Sequence, residues 1–129
     1  MLYLDSSAFV KLVVSERESD ALTGYLAVAP RPASSALTRV EVHRAVMRYG
    51  AAFTERARAV LVAVDFIVLD DDVLDAAAML EAPLLRSLDA IHVASALALG
   101  PAADVEVVTY DRRMADAAEA AGLRTVAPV

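Results

Sequence analysis

The sequence predicts a three-layer α/β fold, with a mainly parallel central sheet flanked by helices. Three observations carry that expectation. Short apolar runs alternate with stretches of helical periodicity, no hairpin-type turn joins two strand-like runs, and neither a repeat nor a linker interrupts the alternation. At 129 residues the chain suits a single domain over residues 1–129, large enough to close one hydrophobic core without staples.

Leu2 to Leu4 reads as a strand ending at Asp5-Ser6-Ser7, after which Ala8, Phe9, Leu12 and Val13 fall at helical spacing. A second helix is expected from about Glu18 to Ala27. Ala29-Pro30-Arg31-Pro32 then interrupts, because proline fixes φ and offers no backbone donor. Thr38-Arg39-Val40-Glu41 fits a capping box opening a third helix, with Val42, Ala45, Val46 and Tyr49 as its apolar stripe and Gly50 as its stop. Thr54 to Ala63 reads as helix and Phe66 to Leu69 as a strand. Asp70-Asp71-Asp72 opens another helix through Leu74, Ala77, Ala78 and Met79, which Pro83 ends. Ser87-Leu88-Asp89 leads a helix carrying Ile91, Ala94, Ser95 and Leu97 that stops at Gly100-Pro101. Val105 to Tyr110 has strand composition, Asp111 caps a helix to Ala121 with Gly122 as its C-terminal cap, and Arg124 to Val126 adds a last short strand.

Composition narrows the chemistry. The chain has no cysteine, so disulfides, thiolate nucleophiles and zinc ribbons are excluded, and any metal needs oxygen or histidine ligands. The longest apolar stretch, Ala59 to Leu69, is broken by Asp65 well short of the roughly 18 residues a membrane span needs. The opening Met1-Leu2-Tyr3-Leu4-Asp5 carries no export signal, and a cytoplasmic location away from membranes is expected. A formal net charge of -6 argues against nucleic-acid binding through a broad basic surface. Acids that converge on divalent cations would reverse the local field and remove that objection.

Four acids stand where such convergence is geometrically natural. Asp5 and Asp111 close strands, and Glu41 and Asp89 lie in the first turns of expected helices. In open parallel sheets ligands bind at the carboxyl ends of the strands, where the following helices begin. Carboxylates brought together there need protonation or a cation, and hard Mg²⁺ or Mn²⁺ suits an all-oxygen site. Each acid also has a bland explanation, since Asp and Glu at helix starts cap the helix and favour its dipole. Asp5 departs furthest from it: it ends an apolar strand and precedes two hydroxyl residues able to hydrogen-bond it or a metal-bound water, and Thr109, two residues before Asp111, invites the same suggestion.

Four segments in order resemble the PIN-domain family, and in particular its VapC-type toxin ribonucleases: Leu2-Tyr3-Leu4-Asp5-Ser6-Ser7-Ala8, Ser35-Ala36-Leu37-Thr38-Arg39-Val40-Glu41-Val42, Leu88-Asp89-Ala90-Ile91-His92-Val93-Ala94-Ser95-Ala96-Leu97 and Val107-Val108-Thr109-Tyr110-Asp111. The resemblance implies a PIN-like fold. It also implies a Mg²⁺- or Mn²⁺-dependent endoribonuclease whose metal-holding and catalytic acids are Asp5, Glu41, Asp89 and Asp111. A VapB-type antitoxin partner and a homodimer follow from the same resemblance.

Other residues divide between structure and site. His92, three residues after Asp89, could reach the acids as a proton carrier, but its apolar segment favours a packed, hydrogen-bonded histidine. His43 reads the same way with less interest. Asp116 reads as a solvated helix residue rather than a further ligand. Arg39, Arg44, Arg48, Arg112 and Arg113 could rim the acids for an RNA backbone, or simply balance neighbouring charges. A phosphotransfer receiver is disfavoured because paired acids after the first strand are missing and Lys11 is the only lysine. A dehalogenase-type phosphatase is disfavoured by Ser7, where a second aspartate belongs. The alternative reading from another class is a catalytically silent PIN-like module that binds RNA or a protein through the same face.

Overall fold

The first strand is the central one. In the computed structural model, which describes residues 1–129, β1 (Leu2–Leu4) lies between β2 (Ala33–Ser35) and β4 (Glu106–Val108). β3 (Asp65–Ile67) and β5 (Arg124–Val126) form the edges, giving the order β3-β2-β1-β4-β5 with every neighbouring pair parallel. This is the three-layer architecture expected from the sequence.

Alternation along β1 divides the core between the two faces. Leu2 and Leu4 pack with Ala8, Phe9 and Val13 of α1 (Ser6–Val13), Leu22 of α2 (Ser19–Ala27), Val42 and Val46 of α3 (Leu37–Val46), and Ala57 and Leu61 of α4 (Ala51–Leu61). Tyr3 faces the other way, onto Val93 and Ala96 of α6 (Ser87–Leu97) and Met114 and Ala118 of α7 (Arg112–Ala120). Against α6, Val73 and Ala77 of α5 (Asp71–Ala78) close a smaller apolar cluster with Ala90 and Ala94. No helix is long and apolar enough to cross a membrane.

Several local expectations need correction. Ala33–Ser35 is a fully buried strand that the sequence does not announce, because Ala-Ser-Ser carries no β-branched or aromatic residue. That strand starts the following helix earlier than the capping box implies. α3 begins at Leu37 with no side-chain cap, and Thr38 lies inside it, its hydroxyl 2.7 Å from Ser34 Oγ. Glu41 consequently sits one turn into the helix, not in its first turn. Ala45 and Tyr49 are exposed, so the stripe reduces to Val42 and Val46. Tyr49 belongs to a 3₁₀ turn that ends at Gly50, where φ is 105°. α4 starts at Ala51, ahead of Thr54; β3 takes in Asp65 and releases Val68 to solvent; and β4 is confined to Glu106–Val108. Asp70 caps α5 through Val73 N–H at 3.0 Å, Asp111 caps α7, and Gly122 turns the chain at φ 86°, as expected.

Candidate active site

Asp5 leaves β1 in extended conformation and caps α1, its Oδ1 accepting Ala8 N–H at 3.1 Å and Ser7 Oγ–H at 2.6 Å. Its second oxygen accepts the Thr109 hydroxyl. Only 5% of Asp5 is exposed. Burial pushes the carboxyl above the ordinary aspartate range; the Ser7, Thr109 and Ala8 donors oppose that shift without cancelling it. The hydroxyls are themselves anchored, since Ser7 Oγ accepts Tyr110 N–H at 2.9 Å and Thr109 Oγ1 accepts Asp111 N–H at 3.1 Å. A single threonine therefore ties the acid after β1 to the one after β4.

Glu41 reaches the same region from α3. Its Oε1 accepts Ser6 Oγ–H at 2.5 Å, next to Asp5 in the chain, and lies 2.6 Å from His92 Nε2. Burial raises the Glu41 carboxyl, but the hydrogen bonds from His92 and Ser6 and the nearby imidazole outweigh it and hold the group below the usual glutamate range. His92 is buried, its Nδ1 2.6 Å from the Tyr3 hydroxyl, so it is packed and hydrogen-bonded while also touching a candidate acid.

Asp89 sits half-buried in the first turn of α6. Its carboxyl is pushed up, first by burial and then by the charge of Asp111, with Glu41 adding to the effect and His92 and Arg86 opposing it. Asp111 is exposed, and its Oδ1 accepts the Arg113 and Met114 amides at 2.8 and 3.2 Å. Of the four acids anticipated from the sequence, Asp5 and Asp111 follow β1 and β4, Glu41 and Asp89 come from α3 and α6, and Asp89 feels the charges of Asp111 and Glu41. Asp116 is exposed and 3.8 Å from Arg112, and it lines the same cleft as Asp89 without bonding to any of the four.

Of the arginines expected to rim the acids, Arg113 does so and those of α3 do not. Arg39 stacks over Phe66 and Arg48 over Tyr49, while Arg44 reaches Met47. The cationic groups beside Asp89 are Arg86 and Arg113, which with Leu84, Leu85 and Ala117 line a cleft of about 470 Å³. Arg86 escaped the sequence reading. So did Tyr3, although a lone phenol in an otherwise aliphatic strand signals a buried hydroxyl in need of a partner.

No three His, Asp or Glu side chains stand close enough, as placed, to share one ion. Both Asp5 oxygens and Glu41 Oε1 accept from internal donors instead. The donor chemistry nevertheless fits a hard divalent cation. The acids are all-oxygen ligands, Asp5 is a buried carboxyl with no countercharge bonded to it, and Asp89 is opposed by like charge.

Comparison with known proteins agrees with this architecture. A family model described as PIN domain matches residues 2–120. Over 128 residues the chain is 47% identical to Ribonuclease VapC46 of Mycobacterium tuberculosis, covering 98% of this chain and 97% of that relative. VapC20 of the same species, described as a sarcin-ricin-loop-cleaving toxin, superposes with TM-score 0.78 at 18% identity, covering 99% of this chain and all of the other. A toxin–antitoxin complex from Klebsiella pneumoniae gives TM-score 0.76 at 23% identity, covering 100% and 98%. At those identities the two structures speak to fold, whereas the family match and the 47% relative speak to descent. The chain belongs to the PIN-domain family, among its VapC proteins.

Proposed function

We propose that this protein is an endoribonuclease toxin that hydrolyses RNA phosphodiesters with Mg²⁺ or Mn²⁺, acts as a homodimer, and is neutralised by a VapB-type antitoxin. The VapC relative named a ribonuclease and the fold shared with a toxin–antitoxin complex support the activity and the partner. The observation that carries the metal reading is the linkage of the acids. Thr109 bonds the Asp5 carboxylate and the Asp111 backbone amide, Glu41 is bonded to Ser6 beside Asp5, and the charges of Asp111 and Glu41 add to burial in raising the Asp89 carboxyl.

Asp5, Glu41, Asp89 and Asp111 would hold the cation. When bound, it supplies positive charge for the scissile phosphate and acidifies the attacking water. Ser7 and Thr109 keep the Asp5 carboxylate oriented, and Ser6 does the same for Glu41. Arg86 and Arg113 offer guanidinium donors to the RNA backbone beside Asp89, which answers the objection raised by the net negative charge. No side-chain nucleophile is required; the Ser6 and Ser7 hydroxyls are both spent on carboxylates.

The test is cleavage of a structured RNA pool by purified protein with Mn²⁺ or Mg²⁺, beside EDTA and the Asp5→Asn and Asp89→Asn variants. Cutting that disappears in EDTA and in both variants is expected. Cutting that survives in them refutes the site. RNA binding without cleavage in either metal replaces this reading with the silent RNA-binding module.

A further inference from the structure

A line of hydrogen bonds runs through the core and ends on Glu41. The Ser35 amide donates to the Tyr3 hydroxyl at 3.2 Å, the Tyr3 hydroxyl lies 2.6 Å from His92 Nδ1, and His92 Nε2 lies 2.6 Å from Glu41 Oε1. The chain thereby crosses from β2 through β1 and α6 to α3. Tyr3 is fully buried, His92 is 3% exposed, and the two rings meet edge-on at 6.0 Å and 78°.

The donors can be assigned by counting hydrogens. The Tyr3 hydroxyl carries one hydrogen to donate. Its other partner, the Ser35 amide, is a donor, so Nδ1 is the acceptor open to the hydroxyl hydrogen, which is directed there. A bare Nδ1 leaves the proton on Nε2, the nitrogen that faces Glu41. Filling this volume for packing alone needs no such network. A leucine or phenylalanine would do so without burying three polar groups.

We infer that Tyr3 and His92 are positioning residues, which clamp Glu41 by its Oε1 and leave Oε2 as the oxygen offered to a divalent cation. The inference rests on the metal-nuclease reading of the site.

The experiment uses the full chain and Mn²⁺ alone, titrated calorimetrically into the parent protein, Tyr3→Phe, His92→Gln, His92→Ala, Glu41→Gln and the Tyr3→Phe/Glu41→Gln double variant. Tyr3→Phe should weaken Mn²⁺ binding about tenfold, as loss of groups that orient a ligand commonly does. The same change should have no further effect once Glu41 is Gln. His92→Gln places an amide N–H where Nε2–H stood and should retain more affinity than His92→Ala. Independently of metal, imidazole ¹⁵N spectra should show His92 protonated at Nε2 and bare at Nδ1, with His43→Gln assigning the signals. Unchanged Mn²⁺ affinity in Tyr3→Phe, an equal loss in the Glu41→Gln background, or the opposite tautomer each overturns the inference while leaving the metal reading standing. A parent protein that binds no Mn²⁺ overturns both. Should Tyr3→Phe fail to fold, His92→Gln and the parent spectrum decide alone.

Discussion

Asp5→Asn should abolish cleavage and yet raise the stability of the metal-free protein. The native fold binds the Asp5 proton more tightly than the unfolded chain does, because burial raises the carboxyl. That contribution is fully present below the ordinary aspartate pKa and is lost as pH rises through it to the raised native value. At neutral pH the buried charge is therefore a net cost. Asn removes the charge and keeps the shape: its Oδ1 still accepts from Ser7 and Ala8, and its amide donates to Thr109 Oγ1 once that hydroxyl turns. Three hydrogen bonds to a charged acceptor fall to neutral strength, a loss of roughly 2–4 kcal/mol, against a burial penalty of several kcal/mol that disappears. The raised carboxyl indicates that the penalty is the larger, leaving a gain on the order of 1–2 kcal/mol. For a chain of 129 residues, 1 kcal/mol corresponds to about 4 °C, so the melting temperature in EDTA should rise by roughly 4–8 °C. Circular-dichroism melts measure it. The gap should narrow as pH falls from about 8 toward about 5, and Mn²⁺ should stabilise the parent but not the variant. An Asn variant that melts below the parent in EDTA at neutral pH would falsify the reasoning, since it would mean that the three donors already satisfy the carboxylate without a cation.

Thr109→Val removes both the donor to Asp5 Oδ2 and the acceptor of the Asp111 amide. It should cost about 2–3 kcal/mol, or roughly 8–12 °C in melting temperature, together with cleavage, and Thr109→Ser should restore most of both. Glu41→Gln should move stability the other way from Asp5→Asn. Burial raises the Glu41 carboxyl, but the donors from His92 and Ser6 prevail, so its contribution is present above the ordinary glutamate pKa and lost as pH falls through the depressed native value. The Gln variant should be about 1 kcal/mol less stable at neutral pH and converge with the parent in acid, as parallel melts will show. Asp116→Asn should leave initial cleavage rates within about twofold, because the side chain is 68% exposed and only 3.8 Å from Arg112 at its closest. A loss approaching that of Asp89→Asn would place Asp116 in the machinery.

The candidate acids were legible because strand ends and helix starts leave marks in sequence: Asp5 follows Leu2-Tyr3-Leu4, and Asp111 caps a helix with strong periodicity. The hydroxyls that support them were legible as hydrogen-bonding residues, though not which acid Ser6 and Thr109 would serve; other supports were not legible, for reasons particular to each. β2 has no strand composition; it is a strand because β1 and β3 both pair with it, and a sequence window cannot see that. Arg39 looked like a neighbour of Glu41, but two residues along a helix turn the side chain about 200° away, and it stacks on Phe66 instead. His92 is the most instructive case. Read along the chain, an apolar segment and a catalytic neighbourhood are competing explanations of one imidazole. In a sheet whose acids stand over the strand ends, the residues one layer beneath them are core and support together. Parity along β1 turns Tyr3 away from Leu2 and Leu4 and toward α6, where His92 follows Asp89 by one helical turn. The imidazole can then pack against Tyr3 with one nitrogen and reach Glu41 with the other. Burial of His92 is thus a condition of its contact with Glu41: an exposed imidazole would have water at Nδ1 in place of a fixed phenol, and nothing would hold its Nε2 proton against the carboxylate.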